Sequence, residues 1–134
     1  MMRFMGLAAA ALVVGVALAG CDRRDADAIM GKTVAKMEEM VTVMQGVKDE
    51  ASSKAAGPKI KAIAQDMKAL KKEADAAGRI TATEEKKLKD KYQDRIQKAS
   101  QDAAREGMRI GMNPALMTPE LKEAMQELGS INKK

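Results

Sequence analysis

Met30, Val34, Met37, Val41 and Met44 stand at steps of four, three, four and three. That spacing puts one apolar stripe down one side of a helix and has no counterpart in a strand, whose faces alternate every second residue. Met40, Val43 and Val47 widen the stripe beyond a narrow coiled-coil seam, as a helix buried in a globular bundle needs. Aromatic residues make up 1% of the chain, β-branched residues are scattered, and Ala, Lys, Glu, Met and Gln dominate. These are strong helix formers, so the expected fold class is all-α.

Further helical patterns follow along the chain. The first helix is expected to begin at Asp25 or Asp27, either of which caps well, and its pattern fades around Asp49 to Ser53. Gly57-Pro58 is the first clear break, and Pro58 suits the first turn of a second helix. That helix carries Ile60, Ile63, Met67, Leu70, Ala74 and Ala77, and Gly78 fits a left-handed C-cap. Thr81-Ala82-Thr83-Glu84 reads as a capping box that opens a long third helix. Leu88, Tyr92, Ile96, Ala99, Ala103 and Ile110 share one of its faces, with Glu85–Lys89 and Asp94–Lys98 as supporting ion pairs. Ala99 and Ala103 are small enough to let another helix come close. Asn113-Pro114 stops this helix, and Thr118-Pro119 starts a short one with Leu121, Met125 and Leu128 on its apolar face. Short connections make neighbouring helices antiparallel. The expected architecture is an antiparallel three-helix bundle over residues 28–129 with a short fourth helix folded back, followed by a basic tail, 130–134.

Residues 1–20 have the three parts of a secretory signal: Arg3 in the n-region, an apolar run from Phe4 to Ala19, and small residues before Cys21. The run is shorter than the roughly 20 residues a spanning helix needs, and Asp22, Arg23, Arg24 and Asp25 follow at once. Leu18-Ala19-Gly20-Cys21 resembles the lipobox of bacterial lipoproteins at all four positions. The resemblance implies cleavage after Gly20, a diacylglycerol on the Cys21 thiol and an acyl chain on its amine. Residues 21–27 then form a lipidated N-terminus and spacer, and the bilayer is the first partner. Two or more acyl chains hold a protein on a membrane where one holds it only marginally. Cys21 is the only cysteine, so no intramolecular disulfide forms, and acylation accounts for the odd thiol. Asp22 resembles the inner-membrane retention signal of enterobacterial lipoproteins. Other lineages read this position differently, and the choice between inner and outer membrane stays open. Residues 35–128 also resemble, in composition, the small helical lipoproteins of bacteria, a likeness that carries no function with it.

Removing residues 1–20 takes away Arg3, leaving 23 basic against 19 acidic residues, a net charge of +4. The charges are interspersed, and Tyr92 is the only aromatic left once Phe4 is gone. Nucleic-acid binding calls for a dense basic stripe or stacking aromatics, so no nucleic-acid partner is expected. With no histidine and Cys21 acylated, Ser-His and Cys-His catalysis and zinc sites with nitrogen or sulfur ligands are excluded. The carboxylate pairs Glu38-Glu39, Glu84-Glu85 and Glu123/Glu127 fall among lysines, without an apolar setting to raise a pKa. Gly57-Pro58-Lys59 lacks phosphate-loop spacing. The run Lys86, Lys87, Lys89, Lys91 is interrupted by acids and reads as a solvated face.

The expected function is therefore a non-enzymatic structural or interaction module facing the periplasm, with no cofactor. An unidentified protein partner is expected to dock on Leu121, Met125 and Leu128, and Leu121→Glu with Leu128→Glu should remove that contact and leave the bundle folded. The Ala-rich face of the third helix also allows a homo-oligomer. Two alternatives stay open. Thioethers select Cu(I), and Met37, Met40 and Met44, or Met108 and Met112, share helical faces; the competing role for these methionines is filling a core that lacks aromatics. The terminal Lys134 resembles, in outline, the peptidoglycan-linked lysine of the enterobacterial murein lipoprotein, although this chain has turns and lacks that family's aromatic-Arg-Lys ending.

Overall fold

The computed structural model describes residues 23–77 and 80–131, with the side chains of 23–25 and 77 left out. Cys21, Asp22, Gly78 and Lys134 lie outside the described residues. The described chain is helical: α1 Arg23–Gln45, α2 Glu50–Ala77, α3 Ala82–Gly111, a 3-10 turn Pro114–Leu116, and α4 Pro119–Ser130. No helix among the described residues is long and apolar enough to cross a membrane.

α1 already runs from Arg23, so Asp25 and Asp27 sit inside it rather than capping it. Its stripe is buried as the spacing requires. Met30, Val34, Met37, Met40, Val41, Met44 and Val47 are all closed to solvent, and Val43 is partly buried. The stripe is wide because α1 is covered on two sides, by α2 and by α3.

The second helix corrects the expectation at Gly57-Pro58. It starts at Glu50 and runs through both residues. The real break is residues 46–49, and a local cap explains it. The Asp49 carboxylate accepts the Ser52 backbone N–H at 2.8 Å, while Ser52 Oγ accepts the backbone N–H groups of Lys48 and Asp49 at 2.8 and 3.0 Å. These bonds occupy donors that a helix start otherwise leaves without partners. They also hold the Asp49 carboxyl below its ordinary 3.8, the Ser52 backbone N–H contributing most and its hydroxyl next. A carboxylate with a depressed folded pKa adds stability that is complete above its unfolded value and is lost as the pH falls through its folded one. Acid unfolding followed by circular dichroism should therefore show a stability loss beginning below about pH 4 that Asp49→Asn reduces. An identical acid profile for the variant would contradict a stabilising role for this cap.

Both later caps are as the sequence predicts. Thr81 Oγ1 accepts the Glu84 backbone N–H at 3.2 Å, and the Glu84 carboxylate accepts the Thr81 N–H at 3.1 Å. Thr118 caps α4, with Pro119 in the first position. At Asn113-Pro114, Asn113 Oδ1 accepts the Ala115 N–H at 3.2 Å and turns the chain. On α3, Leu88, Tyr92, Ala99, Ala103, Gly107 and Ile110 are buried, and Ile96 is partly so. Glu85–Lys89 forms at 2.7 Å. Lys98 turns instead to Asp102 at 2.8 Å, so the expected pair with Asp94 is replaced by one a turn further on.

Cross-helix partners give the direction of each helix. α1 meets α3 through Asp27 with Lys91 and Tyr92, Glu38 with Arg95, and Met44 and Val47 with Arg109. Residue numbers rise together, so α1 and α3 point the same way. α2 meets α4 through Ser53 with Thr118, Lys61 with Glu123, and Lys68 with Glu127, again rising together. The chain reverses at 46–49, and Lys36 of α1 meets Asp66 of α2 at 3.0 Å. The extensive interfaces are α2–α4, α1–α3 and α1–α2, and α2 and α3 form none comparable among the described residues. The α1–α2 pair is thus central, with α3 laid on α1 and α4 on α2. α4 is too short to be stable alone, and docking on α2 supplies what propensity does not.

Candidate functional site

The candidate anchor, Cys21 with Asp22, lies outside the described residues, but the chain immediately after it is defined. α1 begins at Arg23, and its first turns meet α3 in a polar cluster. Tyr92 Oη donates to Asp27 Oδ1 at 2.5 Å, and Lys91 Nζ donates to both Asp27 oxygens at 2.9 and 2.8 Å. Lys91 and Arg95 also stand over the Tyr92 ring, 5.2 and 5.9 Å from its centre. Gly31 makes room for the phenol: a β-carbon there would lie 3.1 Å from Tyr92 Oη. Tyr92 is buried as an apolar residue while its hydroxyl reaches a charged partner, the usual arrangement for a buried tyrosine.

The hydrogen bond to Asp27 raises the Tyr92 pKa above its ordinary 10.0; burial and the negative charge of Asp27 add to the rise, and Lys91 opposes it. A raised folded pKa contributes stability that is full below pH 10.0 and is lost as the pH climbs through the folded value. Tyr92 is the only tyrosine and there is no tryptophan, so phenolate absorbance reports on this group alone. Its titration midpoint should exceed 10.0 in the folded chain and drop towards 10.0 in Asp27→Asn. A midpoint unmoved by that substitution would contradict the pairing.

The opposite end of α1 is closed by Arg109, whose Nη1 and Nη2 donate to the Val47 and Met44 carbonyls at 2.8 and 3.0 Å. Met44 is in the last turn of α1, where intrahelical donors run out, and its carbonyl also accepts the Val47 N–H at 3.1 Å. Nearby, Ser53 Oγ donates to the Leu116 carbonyl at 2.5 Å and lies 2.8 Å from Thr118 Oγ1, tying the 3-10 turn and the α4 cap to α2. Ser53 is fully buried, so this network holds polar atoms that have no water to turn to.

Every expected carboxylate pair is engaged structurally. Glu38 binds Arg95, Glu39 binds Lys36, Glu84 completes its capping box and Glu85 binds Lys89. Glu123 and Glu127 hold Lys61 and Lys68 across the α2–α4 interface. Exposed pairs of this kind add little stability one by one; those of Glu38, Glu123 and Glu127 run between helices, and the others lie within one. In the lysine run, Lys89 and Lys91 are paired, whereas Lys86 and Lys87 are exposed on the first turns of α3. A groove of 220 Å³ between α1 and α3 is lined by Glu38, Val41, Thr42, Gln45, Arg95, Lys98, Ala99 and Asp102. It is smaller than the roughly 300 Å³ at which small-molecule pockets begin. Among the described residues no cluster of three or more His, Cys, Asp or Glu side chains is placed to hold a metal ion.

The expected partner surface needs correction. Leu121 is fully buried in the chain's own core, and Met125 and Leu128 pack against that core partly buried. The apolar face of α4 is spent on α2, which leaves only the outer edges of Met125 and Leu128 for anything else. Met37, Met40 and Met44 are likewise 0–1% exposed, together with Met30 and Met67, so these five fill the core. Met108 and Met112 do not: they are 57% and 76% exposed. They lie two residues either side of Ile110, roughly 160° round the helix from its buried face.

No family model matches the chain, and neither a curated protein nor a solved structure matches it.

Proposed function

We propose that this chain is a bacterial lipoprotein, held on the extracytoplasmic face of a membrane by acyl chains on Cys21, and that its helical domain is a non-enzymatic structural or interaction module. The observation that carries this reading is Leu18-Ala19-Gly20-Cys21 behind an apolar run and ahead of a charged helix start. The engagement of the carboxylates in caps and cross-helix pairs supports a structural use of the polar residues over a chemical one.

The helix directions give this tether a geometry. α1 starts two residues past Cys21, and two residues reach at most about 7 Å. The end of the bundle where α1 begins therefore sits against the bilayer. Asp27 is level with Lys91 and Tyr92, so the first turns of α3, with Lys86 and Lys87, reach the headgroup layer. Lysines beside an anionic surface add to binding. The 46–49 turn and the end of α3 then face outward, about 35 Å away along the 23-residue α1. In this reading α1, α2 and α3 alternate in direction, α3 lies along α1, and α4 runs along α2 as a brace.

Mass analysis of the protein extracted from its native membranes tests the anchor. The expected N-terminus is Cys21 carrying a thioether-linked diacylglycerol, and Cys21→Ala should leave residues 1–20 attached. A free Cys21 thiol on a mature chain would sink the proposal. Gentle detergent extraction followed by identification of co-purifying proteins tests the module: a stoichiometric partner makes it an adapter, and recovery of the acylated chain alone counts against that role.

A further inference from the structure

Two methionines stand mostly outside the core of this bundle. Met30, Met37, Met40, Met44 and Met67 are 0–1% exposed, whereas Met108 and Met112 present 57% and 76% of their surface. The two stand one helical turn apart at the end of α3 and share a face. The chain has no histidine, and its one cysteine is Cys21. Among the described residues, the thioethers of Met108 and Met112 are thus the most accessible soft nucleophiles.

We propose that Met108 and Met112 form a reversible oxidation site that takes oxygen from two-electron oxygen-atom donors of the hypochlorous acid class. In each step the thioether sulfur attacks the oxygen of the acid and the O–Cl bond breaks. A sulfur–oxygen bond forms, chloride leaves, and the acid's proton passes to water. The sulfur is oxidised by two electrons to the sulfoxide and the oxidant is reduced to chloride. Methionine sulfoxide reductases reverse the change: a thiol reductant supplies two electrons, two protons are taken up, the sulfur–oxygen bond breaks and the oxygen leaves as water while the thiols become a disulfide. Oxidation in a core replaces an apolar thioether with a polar group among apolar neighbours and disrupts it. At Met108 and Met112 the sulfoxide meets solvent, so the helix end changes from apolar to polar while the fold stays intact. The core methionines become reachable only when the bundle opens. This assignment holds whatever anchors the chain.

The test treats the purified full chain with hypochlorous acid at about one equivalent per exposed methionine and quantifies sulfoxide by peptide mass analysis. Met108 and Met112 should each carry at least about tenfold more sulfoxide than any of the five core methionines, with the helical circular dichroism unchanged. A Met108→Leu/Met112→Leu variant should keep the fold and leave the core methionines reduced at that dose. In cells challenged with sublethal hypochlorous acid, the protein should be recovered with sulfoxide at both positions, and added reductase should return them to thioethers. Equal oxidation of the core methionines, helix loss accompanying oxidation at 108 and 112, or both positions still reduced after the cellular challenge would each overturn the proposal.

Discussion

Leu121→Ala should destabilise the fold by about 2–5 kcal/mol, the range for truncating a fully buried leucine. Leu121 is 0% exposed, in the first turn of α4, beside the Ser53–Thr118 network that fixes where α4 begins. Its removal empties a site that cannot collapse easily, because Thr118 is bonded on one side and Glu120 lies against Gly57 on the other. Leu121→Glu should go further: a carboxylate with no cationic partner would have to be buried there or α4 would have to leave α2. Met125→Ala and Leu128→Ala should cost less, since both side chains keep part of their surface in water. Urea unfolding followed by circular dichroism measures all four. This order of effects separates a core role for α4 from a partner-binding one. A helix reserved for a partner would tolerate Leu121→Glu in the isolated chain, and an unchanged unfolding midpoint for that variant would remove α4 from the core.

Much of this fold is local, and the local part is legible in the sequence. The stripe from Met30 to Met44, the α3 face from Leu88 to Ile110, the Thr81–Glu84 box and the Thr118-Pro119 start all depend on residues within a few positions of one another. The start of α2 is different. Its inward residues between 50 and 58 are Ser53, Ala56 and Gly57, too small and too polar to register as an apolar stripe. They are small because α4, more than sixty residues later in the chain, lies against them. Asp49 and Ser52 have the spacing of a capping pair in the sequence, but Gly57-Pro58 is the stronger local break signal. The same long-range packing decides the fate of Leu121, whose spacing fits a partner's groove and the chain's own core equally well. For the candidate site the balance is reversed. The four-residue motif ending in Cys21 is explicit in the sequence. The use of Asp27 by Tyr92 and Lys91, across more than sixty residues, needs the α1–α3 packing to be seen. The exposure of Met108 and Met112 follows from helical arithmetic about Ile110, which an assignment of methionine to the core by composition passes over.

Adjacent substitutions at Gly57 and Pro58 should shift stability in opposite directions. In an ordinary helix interior, glycine to alanine gains about 0.8–1.0 kcal/mol from propensity. Here the added β-carbon would stand 2.9 Å from Glu120 C, Cβ and O. Two of those three atoms are backbone, at the start of a helix pinned by Thr118, so they cannot swing aside as a side-chain tip would. Overpacking of this kind costs about 1–3 kcal/mol, which outweighs the propensity gain over most of that range, and Gly57→Ala should be net destabilising. Pro58 is exposed and lies about two turns inside α2. There it removes a backbone donor and crowds the preceding turn, at about 3 kcal/mol. Pro58→Ala restores the donor and touches no packed neighbour, at a loss of about 0.4–1 kcal/mol because the unfolded chain becomes more flexible. The net expectation is stabilisation of about 2–2.5 kcal/mol. A genuine break between two helices at this point would give another pattern: Pro58→Ala would be neutral or harmful, and Gly57→Ala would be strained only if the turn needed a left-handed residue. Denaturation midpoints of the two single variants therefore distinguish a continuous α2, with α4 seated in the notch at Gly57, from a helix that starts at Pro58.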